Sequence, residues 1–446
     1  MRHFCSGMRR AASRNGRALG LGLALLSLVC VSLTPVAAQA KAKAKPSVKN
    51  RAAAAPAASK GRAKKSRLKP FEAAAASSGS HPSVDALLAG IYANLAASQL
   101  KEATAKADRL VEAYPKFFPG HLIRGDLLLM HARPVATVGE APNMNGNKLP
   151  ELRAEMMQRL KALRYAPDPD LFPRAFVQLR AENKFAIMVD TAHSRLYLYQ
   201  NKGGKLALLN HYYISHGKLG VHKLREGDQK TPVGLYRITG KMPRSSLPDF
   251  YGAGALPLNY PNEWDRLHNR GGSGIWLHGM PSASFSRPPL ASDGCVALTN
   301  PDMEVLLSSP DIRTAPVIVS DHVQMVNAAV VNRDRKAAHK MLEQWRRDAQ
   351  NGDVQVLARN YSAQFKSGTG EDLPTWLARN YTPPPSANAT VKLRDLALFH
   401  YPGENNLTVA IFTQDIQSGK SVNSIHRRQY WAKEGTKWKI VHETKL

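Results

Sequence analysis

The chain has 446 residues, 43% of them hydrophobic, with 62 Lys and Arg against 34 Asp and Glu and a formal net charge of +28. One buried core rarely grows past about 250–300 residues, so this length predicts two or three domains. Three cysteines are too few for a disulfide-dense scaffold, and no internal stretch reaches the ~18 uninterrupted apolar residues of a spanning helix.

Residues 1–40 read as an export leader. Arg9, Arg10, Arg14 and Arg17 precede an apolar run from Leu19 to Leu33, and Ala38-Gln39-Ala40 supplies a small-x-small cleavage pattern. The expected location is therefore the periplasm, with cleavage near Ala40. A retained membrane anchor is the rival reading; a lipoprotein is a poorer one, because Val29 precedes Cys30 where a small residue is wanted. Cleavage would remove Cys5 and Cys30 and leave Cys295 as the sole thiol, with no partner for a disulfide.

Residues 41–80 form a basic linker, with eleven Lys and Arg between Lys41 and Lys69 and no acid among them. Its Lys/Ala/Pro/Ser composition buries too little apolar area to fold, so disorder is expected. Behind an export leader, such an arm suits an anionic envelope polymer and not nucleic acid. About +12 of the charge is left on Pro70–Leu446.

A helical segment is expected over 81–180. Leu87, Leu88, Ile91 and Leu95 recur at three- and four-residue spacing, as do Leu100, Ala103, Ala107 and Leu110. Tyr114-Pro115 ends that pair, and further helices are expected over His121–Met130 and Leu149–Leu163. The spacing resembles a tetratricopeptide hairpin, but the repeats are too few for an array, and a packing or homodimerisation segment is the plainer reading.

At Phe185 the period changes to that of strands. Ala186–Val189, Leu196–Tyr199, Leu206–Ser215, Leu235–Ile238, Ile275–His278 and Pro316–Val319 predict a mostly-β domain over 184–321. Pro243 to Gly274 is a long irregular connection carrying Tyr251, Trp264 and His268, either a lid or surface packing. His216 and His222, near Lys218 and Lys223, read as solvated loop residues, with binding of substrate carboxylates as the alternative. Asn300-Pro301 reads as a helix cap and first turn. From 329 to 446, two or three helices precede strands at Val391–Tyr401, Leu407–Gln414, Arg427–Ala432 and Trp438–Glu443, an α+β arrangement.

The local pattern richest in chemistry is His278-Gly279, a loop, then Ser292-Asp293-Gly294-Cys295-Val296-Ala297-Leu298, with sixteen residues between His278 and Cys295. A thiol of pKa ~8.5 is a weak nucleophile at neutral pH, and an imidazole can take its proton. Gly294 permits a sharp turn before the thiol, and the amides of Gly294 and Cys295 are candidate oxyanion donors. No spaced Cys/His/carboxylate set suggests a metal and no Gly-rich loop suggests a nucleotide, so no cofactor is expected.

These residues resemble the active-site motif of the L,D-transpeptidase catalytic-domain family. The likeness extends to Ile187-Met188-Val189-Asp190, Arg195-Leu196-Tyr197-Leu198, Ser215-His216-Gly217-Lys218 and Glu226 through Gly234. It implies Cys295 as nucleophile on a peptidoglycan stem tetrapeptide and His278 as base, oriented by the Gly279 carbonyl. Ser292, Asp293 and Gly294 would order the loop or contact substrate. Transfer to a neighbouring strand is the first reading of the outcome. The alternatives are hydrolysis by an L,D-carboxypeptidase or a wall-protein-releasing enzyme, and non-catalytic wall binding.

Asp293 and Ala297 depart from the family, which often has His and Arg or Asn there, and this puts acceptor recognition in question. The C-terminal segment resembles a nuclear-transport-factor-like cone domain through Trp345, Gly352-Asp353, Tyr361-Ser362, Phe365, Trp376, Phe412-Thr413-Gln414, Arg428-Gln429-Tyr430-Trp431 and Trp438 to Glu443. That domain accompanies some of these enzymes, including carboxypeptidases that shape helical cells. The fold expected is thus multidomain: a helical segment, a mostly-β catalytic domain and an α+β cone.

Overall fold

The computed structural model describes residues 82–446 apart from 142–147, 165–167, 382, 387 and 405. The expected leader and basic arm lie outside the described residues. Helices α1 (Val84–Ala96), α2 (Leu100–Ala113), α3 (Phe118–Leu129) and α4 (Leu149–Arg164) come first. The periodic apolar positions do the packing: Leu88, Ile91, Ala103, Ala107 and Leu110 close on Phe117, Ile123, Leu127 and Met156. Ser83 caps α1 by accepting from the Ala86 amide. Helix α3 starts earlier than His121 because Pro119 fits a first turn, where its missing N–H costs nothing.

The helical reading of 81–180 fails over its last ten residues. Strands β1 (Leu171–Pro173) and β2 (Phe176–Gln178) follow α4, and β2 pairs with a strand more than 200 residues away, placing Phe176 opposite Phe399. Phe176 packs against both Tyr199 and Phe399, so this connector joins the catalytic sheet to the C-terminal one.

The central sheet is built from β3 (Phe185–Asp190), β4 (Arg195–Lys202), β5 (Lys205–Gly217), β6 (Gly234–Arg237), β7 (Met242–Pro243), β8 (Gly254–Pro257), β9 (Trp276–His278), β10 (Leu290–Ser292), β11 (Val296–Leu298) and β12 (Pro316–Ser320). Its order is β6-β12-β3-β4-β5-β11-β9-β8-β7, with β10 beside β5. Alternate residues of these strands, including Ile187, Val189, Leu196, Leu198, Ile214, Leu277, Val296 and Leu298, bury one shared core. Two helices complete the domain, α5 (Glu263–Leu267) in the long connection and α6 (Asn300–Ser308) after β11.

Strand β13 (Met325–Asn327) pairs with β1 and leads into α7 (Ala328–Asn351), capped by Asn327 and ended by Gly352 at φ +84°. Then come α8 (Val354–Ala358), α9 (Leu373–Asn380) and strands β14 (Thr390–His400), β15 (Leu407–Ser418), β16 (Ser421–Glu434) and β17 (Lys437–Lys445). The sheet runs β17-β16-β15-β14-β2. Trp345, Trp376, Phe412 and Trp431 fill the space between helices and sheet. A buried polar group sits with them: Arg427 pairs with Glu443, which also accepts from the Tyr361 hydroxyl and Gln429.

Candidate active site

Strand pairing sets Cys295 and His278 on neighbouring strands. Parallel β11 and β9 place Val296 opposite Leu277 and Ala297 opposite His278, and Cys295 immediately precedes Val296. Residues two apart in a strand share a face, so the register puts the thiol and the imidazole on one side. The thiol itself donates to the Gly274 carbonyl at 3.2 Å and is not hydrogen-bonded to the ring. Burial raises the thiol above its ordinary pKa, against the Trp276 amide, which favours the thiolate.

His278 is fully buried. Its Nδ1 lies 2.6 Å from the Gly279 carbonyl oxygen, which can only accept, so Nδ1 carries the hydrogen and a neutral ring keeps Nε2 as an acceptor. Burial lowers the imidazole to about 4, with the Gly279 bond acting against it and the Arg287 charge adding to it. The resting pair is therefore neutral thiol and neutral imidazole. Tyr251 packs edge-on to the ring at 5.3 Å and Phe250 lies at 5.9 Å.

Asn300 holds the segment around His278. Its Oδ1 accepts from the Ala253 and Met280 amides, each at 2.9 Å, and its Nδ2 donates to the Met280 carbonyl at 2.8 Å. A Cβ on Gly279 would lie 2.3 Å from Asn300 Oδ1, so only glycine fits beside it. Asn300 was expected as a helix cap. Thr299 takes that place, accepting from the Asp302 amide with extended backbone, which leaves the Asn300 side chain to reach back across the loop.

The nucleophile loop is fixed from three sides. Gly294 adopts φ +126°, and a Cβ there would meet the Lys230 carbonyl at 2.8 Å. Ser292 Oγ donates to the Cys295 carbonyl at 2.6 Å and accepts from the Gly294 amide at 3.2 Å. Ser292 thus orders the loop, and the Gly294 amide is no longer available as an oxyanion donor, contrary to expectation; the Cys295 amide is left. Thr231, read only as part of a turn, bridges the Gly217 amide and the Gly294 carbonyl, both at 2.9 Å.

Asp293 stands at the surface, where Lys218 Nζ (3.0 Å) and Gln229 Nε2 (2.9 Å) donate to it. The Lys218 hydrogen bond holds its carboxyl below the usual range. Ala297 is fully buried, so an arginine at this position would have to displace the packing over its Cβ.

Two expectations about neighbouring residues are corrected by burial. His216 is not a solvated loop residue: it lies buried at the end of β5 and is lowered by that burial to about 4. Lys223 is buried too and pairs with Asp228 at 2.7 Å, locking the 223–230 turn. Trp264 is neither lid nor surface, since it stacks on Tyr430 of the C-terminal sheet at 5.1 Å, beside the Glu263–Arg428 pair; His268 folds back onto the Trp264 carbonyl. His222 stays exposed and meets Asp321.

The loop from Pro281 to Pro289, between base and nucleophile, is clasped by the helical segment. Phe285 inserts beside Tyr114 and Phe117, Lys116 donates to the Ser282 carbonyl and Ser286 donates to Glu155 at 2.7 Å. Behind it, buried Arg159 pairs with Glu155 and Asp85, both at 2.9 Å, and lies 4.0 Å over the Tyr213 ring. On the sheet side, Tyr213 Oη, Ser215 Oγ and the His216 amide donate to the carbonyls of Arg287, Pro288 and Pro289.

Among the described residues no His/Cys/Asp/Glu group is placed to hold a metal ion. The set that converges is a thiol, a buried imidazole with a free acceptor nitrogen and a backbone amide, which together can perform acyl transfer.

Residues 184–319 match the family model of the YkuD L,D-transpeptidase catalytic domain, and residues 337–444 match that of the Cds6 C-terminal NTF2-like domain. Escherichia coli YafK, named for an L,D-transpeptidase, is 35% identical over 106 residues, which is 23% of this chain and 37% of YafK. The match thus spans little more than a third of that relative. Among solved structures, Bd1075 of Bdellovibrio bacteriovorus is 26% identical with a TM-score of 0.52, over 62% of this chain and 98% of that one. The helical cell shape determining protein Pgp2 of Campylobacter jejuni is 22% identical with a TM-score of 0.51, over 61% and 95%; at that identity the likeness is one of fold.

Proposed function

We propose that this chain, which carries an L,D-transpeptidase catalytic domain followed by a C-terminal NTF2-like domain, is an exported peptidoglycan L,D-transpeptidase working through a thioester on Cys295. The observation that carries the reading is the His278 ring, buried, neutral and fixed at Nδ1 by the Gly279 carbonyl, on the strand beside the thiol.

The thiol turns from the Gly274 carbonyl toward His278 Nε2, which takes its proton as Sγ attacks the carbonyl of the third residue of a stem tetrapeptide. The Cys295 amide faces the developing oxyanion. The bond to the terminal D-alanine breaks, His278 returns the proton to the leaving amine, and the tripeptidyl thioester remains. An amine of a neighbouring strand then attacks the thioester, giving a cross-link and restoring the thiol. The basic arm at 41–80 would hold the enzyme against an anionic envelope polymer.

Incubation of the purified protein with tetrapeptide muropeptides, with products resolved by mass spectrometry, tests the reading. Cross-linked dimers with loss of D-alanine are expected. Tripeptides alone would make the enzyme an L,D-carboxypeptidase on the same thioester, and unchanged substrate would leave a wall-binding protein.

A further inference from the structure

Arg287 is the sixth residue after Pro281 in the clasped loop, and its backbone is fixed: its own carbonyl and those of Pro288 and Pro289 each accept a hydrogen bond from β5. Its guanidinium lies 4.9 Å over the ring of Phe250, which in turn packs 5.9 Å from the His278 ring. The side chain is half-buried, yet among the described residues its donors make no hydrogen bond and no carboxylate comes within ion-pair distance. The acid whose charge acts on it is Asp293, and that one is already held by Lys218 and Gln229. A half-buried guanidinium on a rigid mount, with its donors unpaired and within reach of solvent, is preorganised to meet an anion.

Resting on the acyl-transfer reading above, we propose that Arg287 is the specificity-determining residue that binds a carboxylate of the stem peptide beside the Cys295–His278 pair. Arg287 meets the carboxylate with two parallel N–H···O bonds, while Phe250 supports the flat face of the guanidinium. The carboxylate comes either from the departing terminal residue or from the side chain of the third residue.

The test compares kcat/KM for a tetrapeptide acid with two analogues, one amidated at the terminal carboxylate and one at the third residue's side chain. The wild-type protein should prefer the acid over one of the two amides by roughly tenfold to a hundredfold, the worth of a charge-assisted pair. That amide identifies the carboxylate bound. Arg287→Gln should bring the ratio near one, and Arg287→Lys should keep part of it. An unchanged ratio in Arg287→Gln overturns the proposal. Calorimetric binding of the same three peptides to Cys295→Ala, with Arg287 intact, requires no Arg287 variant to fold; equal affinities there overturn it as well. Turnover by Cys295→Ala would instead strike the thioester reading, independently of Arg287.

Discussion

Asn300 holds both polar groups of the backbone at Met280, accepting from its amide at 2.9 Å and donating to its carbonyl at 2.8 Å. Because the third contact goes to Ala253, one side chain fixes the segment after His278 against the segment after Tyr251. Asn300→Ala strands two amides and a carbonyl that water reaches poorly. We expect a loss of about 2 kcal/mol or more in unfolding free energy, and a larger fall in kcat than in 1/KM, because the imidazole loses its fixed orientation. Denaturant unfolding and steady-state kinetics check both; an unchanged kcat with lowered stability would make Asn300 purely structural.

Arg159 joins the helical segment to the catalytic sheet. It is 2% exposed, as is its partner Glu155, and it also pairs with Asp85. Arg159→Ala leaves Glu155 buried without its cation, and such a break costs about 3–5 kcal/mol. Arg159→Met combined with Glu155→Met should cost clearly less than Arg159→Ala, since no uncompensated charge remains. Equal losses in the two proteins would show that the cation packing over Tyr213, and not the charge, sets the stability.

The pH profile follows from burial. An ordinary histidine gains its proton near 6.5, but burial lowers His278 to about 4, so between those values the base stays neutral and competent. The acid limb of kcat/KM should fall only as pH drops toward 4, with no inflection near 6.5. Burial also raises the Cys295 thiol, so alkylation of Cys295 should still be accelerating above pH 9 in the free enzyme. An alkylation plateau at neutral pH would mean a resting thiolate–imidazolium pair instead.

What the sequence displayed depended on how local each signal was. The apolar, β-branched and aromatic runs in Phe185–Asp190 and Arg195–Lys202 mark buried strands, the helical spacing of Leu88, Ile91, Ala103 and Leu110 reports the face that each helix buries, and those elements stand where expected. The His278-Gly279 and Ser292–Leu298 segments were visible as a motif, and the fold sets them on adjacent strands. The burial of His216, Lys223 and Trp264 was not legible, because the groups covering them come from distant segments, as when Tyr430 stacks on Trp264. The pairing of Phe176 with Phe399 was hidden for the same reason. Asn300 was misjudged because Thr299 and Asn300 are both good caps, and only the backbone conformation selects Thr299. The Arg287 position was silent in the sequence, since nothing in a Ser-Arg-Pro-Pro stretch tells that three carbonyls are pinned to a strand.

The most direct measurement of the central claim is the intact mass of the protein during turnover of a stem tetrapeptide. The account predicts a transient adduct of the tripeptidyl acyl group on Cys295, released by hydroxylamine as a thioester should be, and absent from Cys295→Ala, which forms no product. Product formation by Cys295→Ala at the wild-type rate, or an adduct on another residue, would contradict it.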